Sequence, residues 1–207
     1  MVQNAGLTKK KLLNAARQEF AAHGMTGARV DRIAELAGVN KERVYGHFGN
    51  KEGLFAATIG AALDELAEAV SKPDDDVASW VGSVYDFHRE RPELLRLLLW
   101  EALQHQGDEL PGKQDRAARY AVKVDALAQQ LRLPAGADAA ATLLCLIGLA
   151  AWPNAVPQLA QLIVGPHVST PHTQAVVRNC VTELVGHMVG GIRADRHEEP
   201  PRSATAL

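Results

Sequence analysis

Two cysteines in 207 residues exclude a disulfide framework and any zinc site built on four thiols. Aromatic residues are 5% of the chain and isoleucine occurs five times. With no sustained apolar–polar alternation, that scarcity argues against sheets. The 17 glycines and 10 prolines are too few and too scattered for collagen-like or low-complexity structure. The opening residues MVQNAGLTKKK lack the apolar core of a secretion signal. The longest apolar stretch, 139–152, is alanine-rich and ends at Trp-Pro; it is expected to be too short to span a bilayer. A soluble, cytoplasmic protein with no membrane association is therefore expected. Nucleophile elbows, phosphate loops and dinucleotide fingerprints are absent from the sequence. His167 and His172 are five apart, which does not place them on one helix face as metal ligands. No metal, cofactor or catalytic residue is expected, and the chain does not read as an enzyme.

What the sequence does contain is helix former. Alanine occurs 34 times and leucine 25 times, and these residues lose least on entering a helix. A 47% hydrophobic and 22% charged composition supplies a globular core. The fold class expected is all-α. Charge is unevenly spread: residues 1–51 carry a net +5 and the remaining 156 a net −7. A basic first quarter on an acidic remainder fits a small nucleic-acid-binding head on a different body, or a chance excess on a solvated face.

Thr8 can cap a first helix in which Leu12, Leu13, Ala16 and Phe20 recur at helical spacing and Gly24 is a stop signal. Val30, Ile33, Leu36 and Ala37 mark a short second helix, and a third runs from Asn40 or Lys41 to His47. A fourth starts at Lys51 and reaches about Val70. Further helices are expected at about 77–91, 92–106, 116–132, 138–151, 157–164 and 171–193, with proline at 153 and 157 ending or kinking the run that starts near 138. The segment 30–48 has the outline of a helix-turn-helix. Gly38 allows a positive φ in the turn, and Asn40 can cap the second of the two helices. That helix exposes Lys41, Arg43, Tyr45 and His47 while Val44 and Phe48 face inward. Such side chains near a helix N-terminus suit base edges and phosphates in a major groove.

The wording RIAELAGVNKERVYGHFGNKEGLF, residues 32–55, resembles the DNA-binding domain of the TetR family of bacterial transcriptional regulators. Ile33-Ala34, Ala37-Gly38-Val39, Val44-Tyr45, His47-Phe48 and Asn50-Lys51-Glu52 with Leu54 carry the likeness, and Ala15-Ala16, Phe20 and Gly24 extend it into the first helix. The resemblance implies an N-terminal three-helix head, residues 1–50, on a helical effector-binding and dimerisation domain, residues 51–195, with a flexible tail over 196–207. Tyr45 and Lys51 match positions that contact DNA phosphates. Lys41, Glu42, Arg43 and Gly46 occupy positions that vary with operator sequence. Arg43 can pair with two guanine acceptors or with a phosphate. The chain departs from the pattern at Ala28-Arg29, where Thr or Ser is usual, so Arg29 is expected to take over the phosphate contact. Arg29, Asn40, Lys41, Arg43, Tyr45, His47 and Lys51 form the expected DNA-binding set.

The resemblance also implies a small apolar or amphipathic effector, held among candidates Trp80, Tyr85, His88, Leu99, Trp100, Leu103, Tyr120, Leu149 and Trp152. It implies a homodimer through the helices near 138–151 and 171–193, whose small residues permit close packing. Two heads are needed to reach operator half-sites about one turn of double-stranded DNA apart. The reading is a ligand-responsive repressor, with helix 51–70 as the lever between DNA and body. Two rivals stand beside it: a helical small-molecule-binding protein or enzyme with an incidental basic head, and a DNA-binding protein that answers to a protein partner. Cys145 and Cys180 are expected to be inert, buried thiols.

Overall fold

A computed structural model describes residues 2–73, 76–104, 110, 112–134 and 136–198. Among these every regular element is a helix: α1 Val2–Gly27, α2 Val30–Ala37, α3 Lys41–Phe48, α4 Lys51–Ala69, α5 Val77–Glu90, α6 Glu93–Gln104, α7 Lys113–Leu131, α8 Ala137–Ala155, α9 Pro157–Val164 and α10 Pro171–Glu198. The all-α expectation holds.

Several boundaries differ from the sequence reading for local reasons. Thr8 does not cap α1, because the helix already runs from Val2 and Gly6 alone costs about 1 kcal/mol, too little to break it. Gly24 interrupts the helix with φ 65° and ψ −179°, yet a further turn continues to Gly27. The last helix continues past 193 to Glu198, and residues 199–207 of the expected tail lie outside the described residues. Helix α8 runs through Pro153 to Ala155. One absent N–H does not end a helix whose neighbouring bonds survive, such as Val156 N–H to the Trp152 carbonyl at 3.3 Å. At 19 residues α8 is therefore long and apolar enough to cross a membrane by length and composition, against the expectation that this stretch is too short.

The chain divides into two compact units, Met1–Ala69 with His88–Ala117, and Val70–Phe87 with Ala118–Leu207. In the first unit, Leu12, Ala16 and Phe20 of α1, Ile33 of α2, Val44 of α3, Leu54 and Ile59 of α4, and Leu94 and Leu97 of α6 are buried. Phe20 meets Phe55 edge to face at 5.0 Å. Each fully buried side chain of this size contributes about 1.5–3 kcal/mol, so α6 belongs energetically with the first four helices. A bidentate pair, Arg17 to Glu65 at 2.7 and 2.6 Å, ties α1 to α4.

The second unit buries Trp80, Val81, Val84 and Tyr85 of α5, Leu127 and Leu131 of α7, Leu143 and Leu146 of α8, and Val181, Val185 and Val189 of α10. Arg178 Nε donates to Asp86 at 2.6 Å, and its guanidinium crosses Gly82 so closely that a Cβ there would lie 2.7 Å from Nη2. The opposite faces of α8 and α10 are open. Leu144, Leu149, Trp152, Val176 and Leu184 are exposed. Cys145 and Cys180 lie exposed on the same helices, not buried as expected; the apolar stripe read from the sequence is a surface stripe of the single chain.

Candidate DNA-binding surface

The head is organised around a buried acid. Glu19 of α1 is 5% exposed and accepts from the Arg29 N–H at 2.8 Å and from Arg32 Nε at 2.8 Å. Burial pushes its carboxyl up, but the Arg32 hydrogen bond, the Arg29 N–H and the charges of Arg32 and His23 outweigh that, holding it below the usual carboxylate range. Arg29 is the N-cap of α2 and supplies no capping side chain. Glu19 thus satisfies an N–H at the start of α2 from outside the helix. The hydroxyl missing at Ala28-Arg29 is compensated structurally, and the Arg29 side chain stays exposed.

The turn and α3 follow the sequence reading closely. Gly38 is left-handed, φ 68° and ψ 36°, and its N–H bonds back to α2. The Asn40 side chain accepts from the Arg43 N–H at 3.1 Å, capping α3. Val44 is buried and Phe48 half-buried, while Lys41, Glu42, Arg43, Tyr45, Gly46 and His47 are exposed. Lys41 is paired with Asp31 of α2 at 2.8 Å, and the hydrogen bond to Asp31 raises its pKa. Both side chains of this pair are exposed, so solvent and a phosphate compete readily for Lys41. The α3–α4 corner is tight. Asn50 Oδ1 accepts from the Gly53 N–H at 2.7 Å, and a Cβ on Gly53 would stand 2.2 Å from the Phe48 carbonyl oxygen. Lys51, half-buried at the start of α4, donates to the Thr26 carbonyl at 3.4 Å.

All seven expected DNA-contact residues therefore lie on one short stretch of the first unit: α3 and the first turn of α4 carry five of them, and Asn40 and Arg29 are the N-caps of α3 and α2. Glu19, Thr26, Asp31 and Gly53 escaped the sequence reading. Only Glu19 left a signal there, an acid at an inward position between Ala16 and Phe20.

The expected effector residues separate. Trp80, Tyr85 and His88 of α5 are buried. Trp80 Nε1 donates to the Ser71 carbonyl at 2.6 Å, and the Tyr85 hydroxyl to that of Gln174 at 3.4 Å. Burial lowers the pKa of His88 to about 4, so it is neutral at physiological pH. Leu99, Leu103, Tyr120, Leu149 and Trp152 are exposed. Trp100 lies against Gly24 of α1. On α7, Lys123 sits 6.0 Å from the Tyr120 ring centroid, and burial lowers its pKa.

Residues 12–58 match the model of the tetR family of bacterial regulatory proteins, and residues 76–186 that of the tetracyclin repressor-like C-terminal domain. The HTH-type transcriptional repressor SCO4008 of Streptomyces coelicolor is 40% identical over 161 residues, 76% of this chain and 84% of that one. The repressor NicS of Pseudomonas putida is 31% identical over 112 residues, 51% of this chain and 52% of that protein. The crystal structure of the putative transcriptional regulator SCO4942 from S. coelicolor superposes with a TM-score of 0.73 at 32% identity, covering 87% of this chain and 97% of the other. The fold is also that of AibR, solved in complex with isovaleryl coenzyme A and operator DNA, with a TM-score of 0.62 at 15% identity over 86% of this chain and 97% of that one. A helix-turn-helix on a helical body, with these matches at both ends, defines a helix-turn-helix transcriptional regulator. The chain belongs to the TetR family.

Proposed function

We propose that the chain is a homodimeric repressor whose α3 reads operator DNA and whose body releases the operator on binding a small apolar or amphipathic effector. The observation that carries it is the exposure of Lys41, Arg43, Tyr45 and His47 on α3, a helix anchored to the head's core by Val44, beside an α2 tied to α1 through Glu19. Residues 1–50 are the DNA-binding domain and 51–195 the effector and dimerisation domain. Arg29, Tyr45 and Lys51 take phosphates; Lys41 and Arg43 reach base edges; Asn40 and His47 complete the surface.

The exposed stripes of α8 and α10, with Leu144 72% and Trp152 57% exposed, suit a second copy of the chain better than lipid. Two heads joined there reach two half-sites, as operator geometry demands. The effector site belongs to the helical body, with the buried Trp80 and Tyr85 of α5 as its firmest candidates. Relatives of this fold take coenzyme A thioesters, as AibR does, and a ligand of that amphipathic kind suits apolar walls with a few polar groups. Effector binding shifts the population of head spacings away from the one that fits DNA, with α4 as the lever. A regulator of this kind works in the cytoplasm, where the DNA is.

The test is titration of promoter DNA at several salt concentrations. Tyr45→Ala and Lys51→Ala should each weaken binding to all sequences and flatten the salt slope by about one phosphate per head. Unchanged affinity and slope in both variants would sink the assignment. Leu144→Glu should yield monomers by light scattering; a dimer that persists would place the interface elsewhere.

A further inference from the structure

Gly24 and Trp100 are locked together. At φ 65° Gly24 occupies left-handed backbone that side chains rarely adopt. A Cβ there would fall 2.7–2.9 Å from Cδ2, Cε3 and Cε2 of Trp100, so the indole of α6 lies directly on the bare α-carbon of α1. Beyond this kink, the last turn of α1 presents Thr26 in two directions. Its hydroxyl accepts from Gln104 Nε2 at 3.3 Å, and its carbonyl from Lys51 Nζ at 3.4 Å. Trp100 and Gln104 are four apart and share one face of α6. Glu101 beside them is buried and is gripped by Arg116 Nη1 at 2.9 Å to both carboxylate oxygens. All of these residues lie in the first compact unit.

We propose that α6 is the positioning element for the DNA-contacting ammonium of Lys51. Trp100, seated on Gly24, fixes the kink; Gln104 fixes Thr26 on the turn that follows; the Thr26 carbonyl orients Lys51. A neutral carbonyl takes one of the three ammonium protons and leaves two, with the full charge, for a phosphate. The Arg116–Glu101 pair sets the rotation of α6 and thus the register of this joint. Trp100 and Gln104 act through Lys51, so the inference rests on the reading of Lys51 as a phosphate contact.

The experiment is a double-mutant cycle on the full-length protein with a mixed-sequence duplex of about three helical turns. Phosphate contacts are independent of sequence, so no operator is required. Lys51→Ala alone should lower the salt slope by about 0.9 per head. Gln104→Ala and Trp100→Ala should each reproduce part of that reduction in the wild-type background and add nothing to Lys51→Ala. Trp100→Phe, which keeps an aromatic plate on Gly24, should retain the wild-type slope. Gln104 is exposed, so its variant folds even if Trp100→Ala does not. Equal losses of affinity with and without Lys51, or slopes unchanged by both α6 substitutions while Lys51→Ala lowers it, would overturn the positioning role alone. An unchanged slope for Lys51→Ala would overturn the phosphate reading and the inference with it.

Discussion

Lowering the pH from 7 to 5 should destabilise the protein through His88. This imidazole is 2% exposed and its pKa falls from 6.5 to about 4 through burial. In the unfolded chain it binds a proton below pH 6.5; in the folded chain it resists doing so until about pH 4. The unfolded state therefore holds more protons between those values, and stability rises with pH across the window. The contribution is fully present above the unfolded pKa and is lost progressively as pH falls toward 4. At about 1.4 kcal/mol per pH unit, the loss between pH 7 and pH 5 is about 2 kcal/mol, and about 3 kcal/mol over the whole window. Urea unfolding at both pH values, at one fixed protomer concentration because assembly contributes to apparent stability, measures it. His88→Gln keeps a polar side chain that takes up no proton in this range, so its stability should fall by about 2 kcal/mol less than wild type between the two pH values. Equal losses in wild type and variant would refute a buried, neutral His88.

Glu19→Ala should cost about 2–4 kcal/mol by thermal or urea unfolding, because the Arg29 N–H loses its acceptor and Arg32 loses a buried counter-charge; Glu19→Gln should retain part of that. Gly53→Ala forces a Cβ against the Phe48 carbonyl, 2.2 Å away, and should open the α3–α4 corner, lowering both the melting temperature and affinity for every DNA sequence. Arg43→Ala should relax preference at one base pair per half-site, costing about 1–3 kcal/mol on the best site and much less on random DNA. Binding-site selection with both proteins decides that point: an unchanged motif with uniformly weaker binding would assign Arg43 to phosphate.

The sequence by itself determined the elements and the reading head. Apolar residues at helical spacing, Gly38 in the turn and Asn40 at the cap are local causes, and local causes act within a few residues of where they are written. That is why α2 lies where the sequence places it and α3 differs from its expected span by one residue, ending at Phe48 and not His47. It is also why the exposed side chains of α3 were legible before any tertiary contact was known. The boundaries that moved, at Thr8, Gly24 and Pro153, are places where a cap, glycine or proline competes with a helix that has enough remaining hydrogen bonds to continue.

Only the tertiary structure decided what each apolar or charged side chain faces. Periodicity shows that a helix has an apolar stripe but not what covers it. Cys145 and Cys180 thus read as buried and stand on the surface of the single chain. Trp100 reads as a wall of an effector pocket and lies on Gly24 of the head, across a sequence separation that no local pattern spans. Glu19 gives the same lesson in charge. An acid on an inward face is a liability until the fold brings Arg32 and the Arg29 N–H to it. That hub, like the path from α6 through Thr26 to Lys51, exists only when distant segments pack.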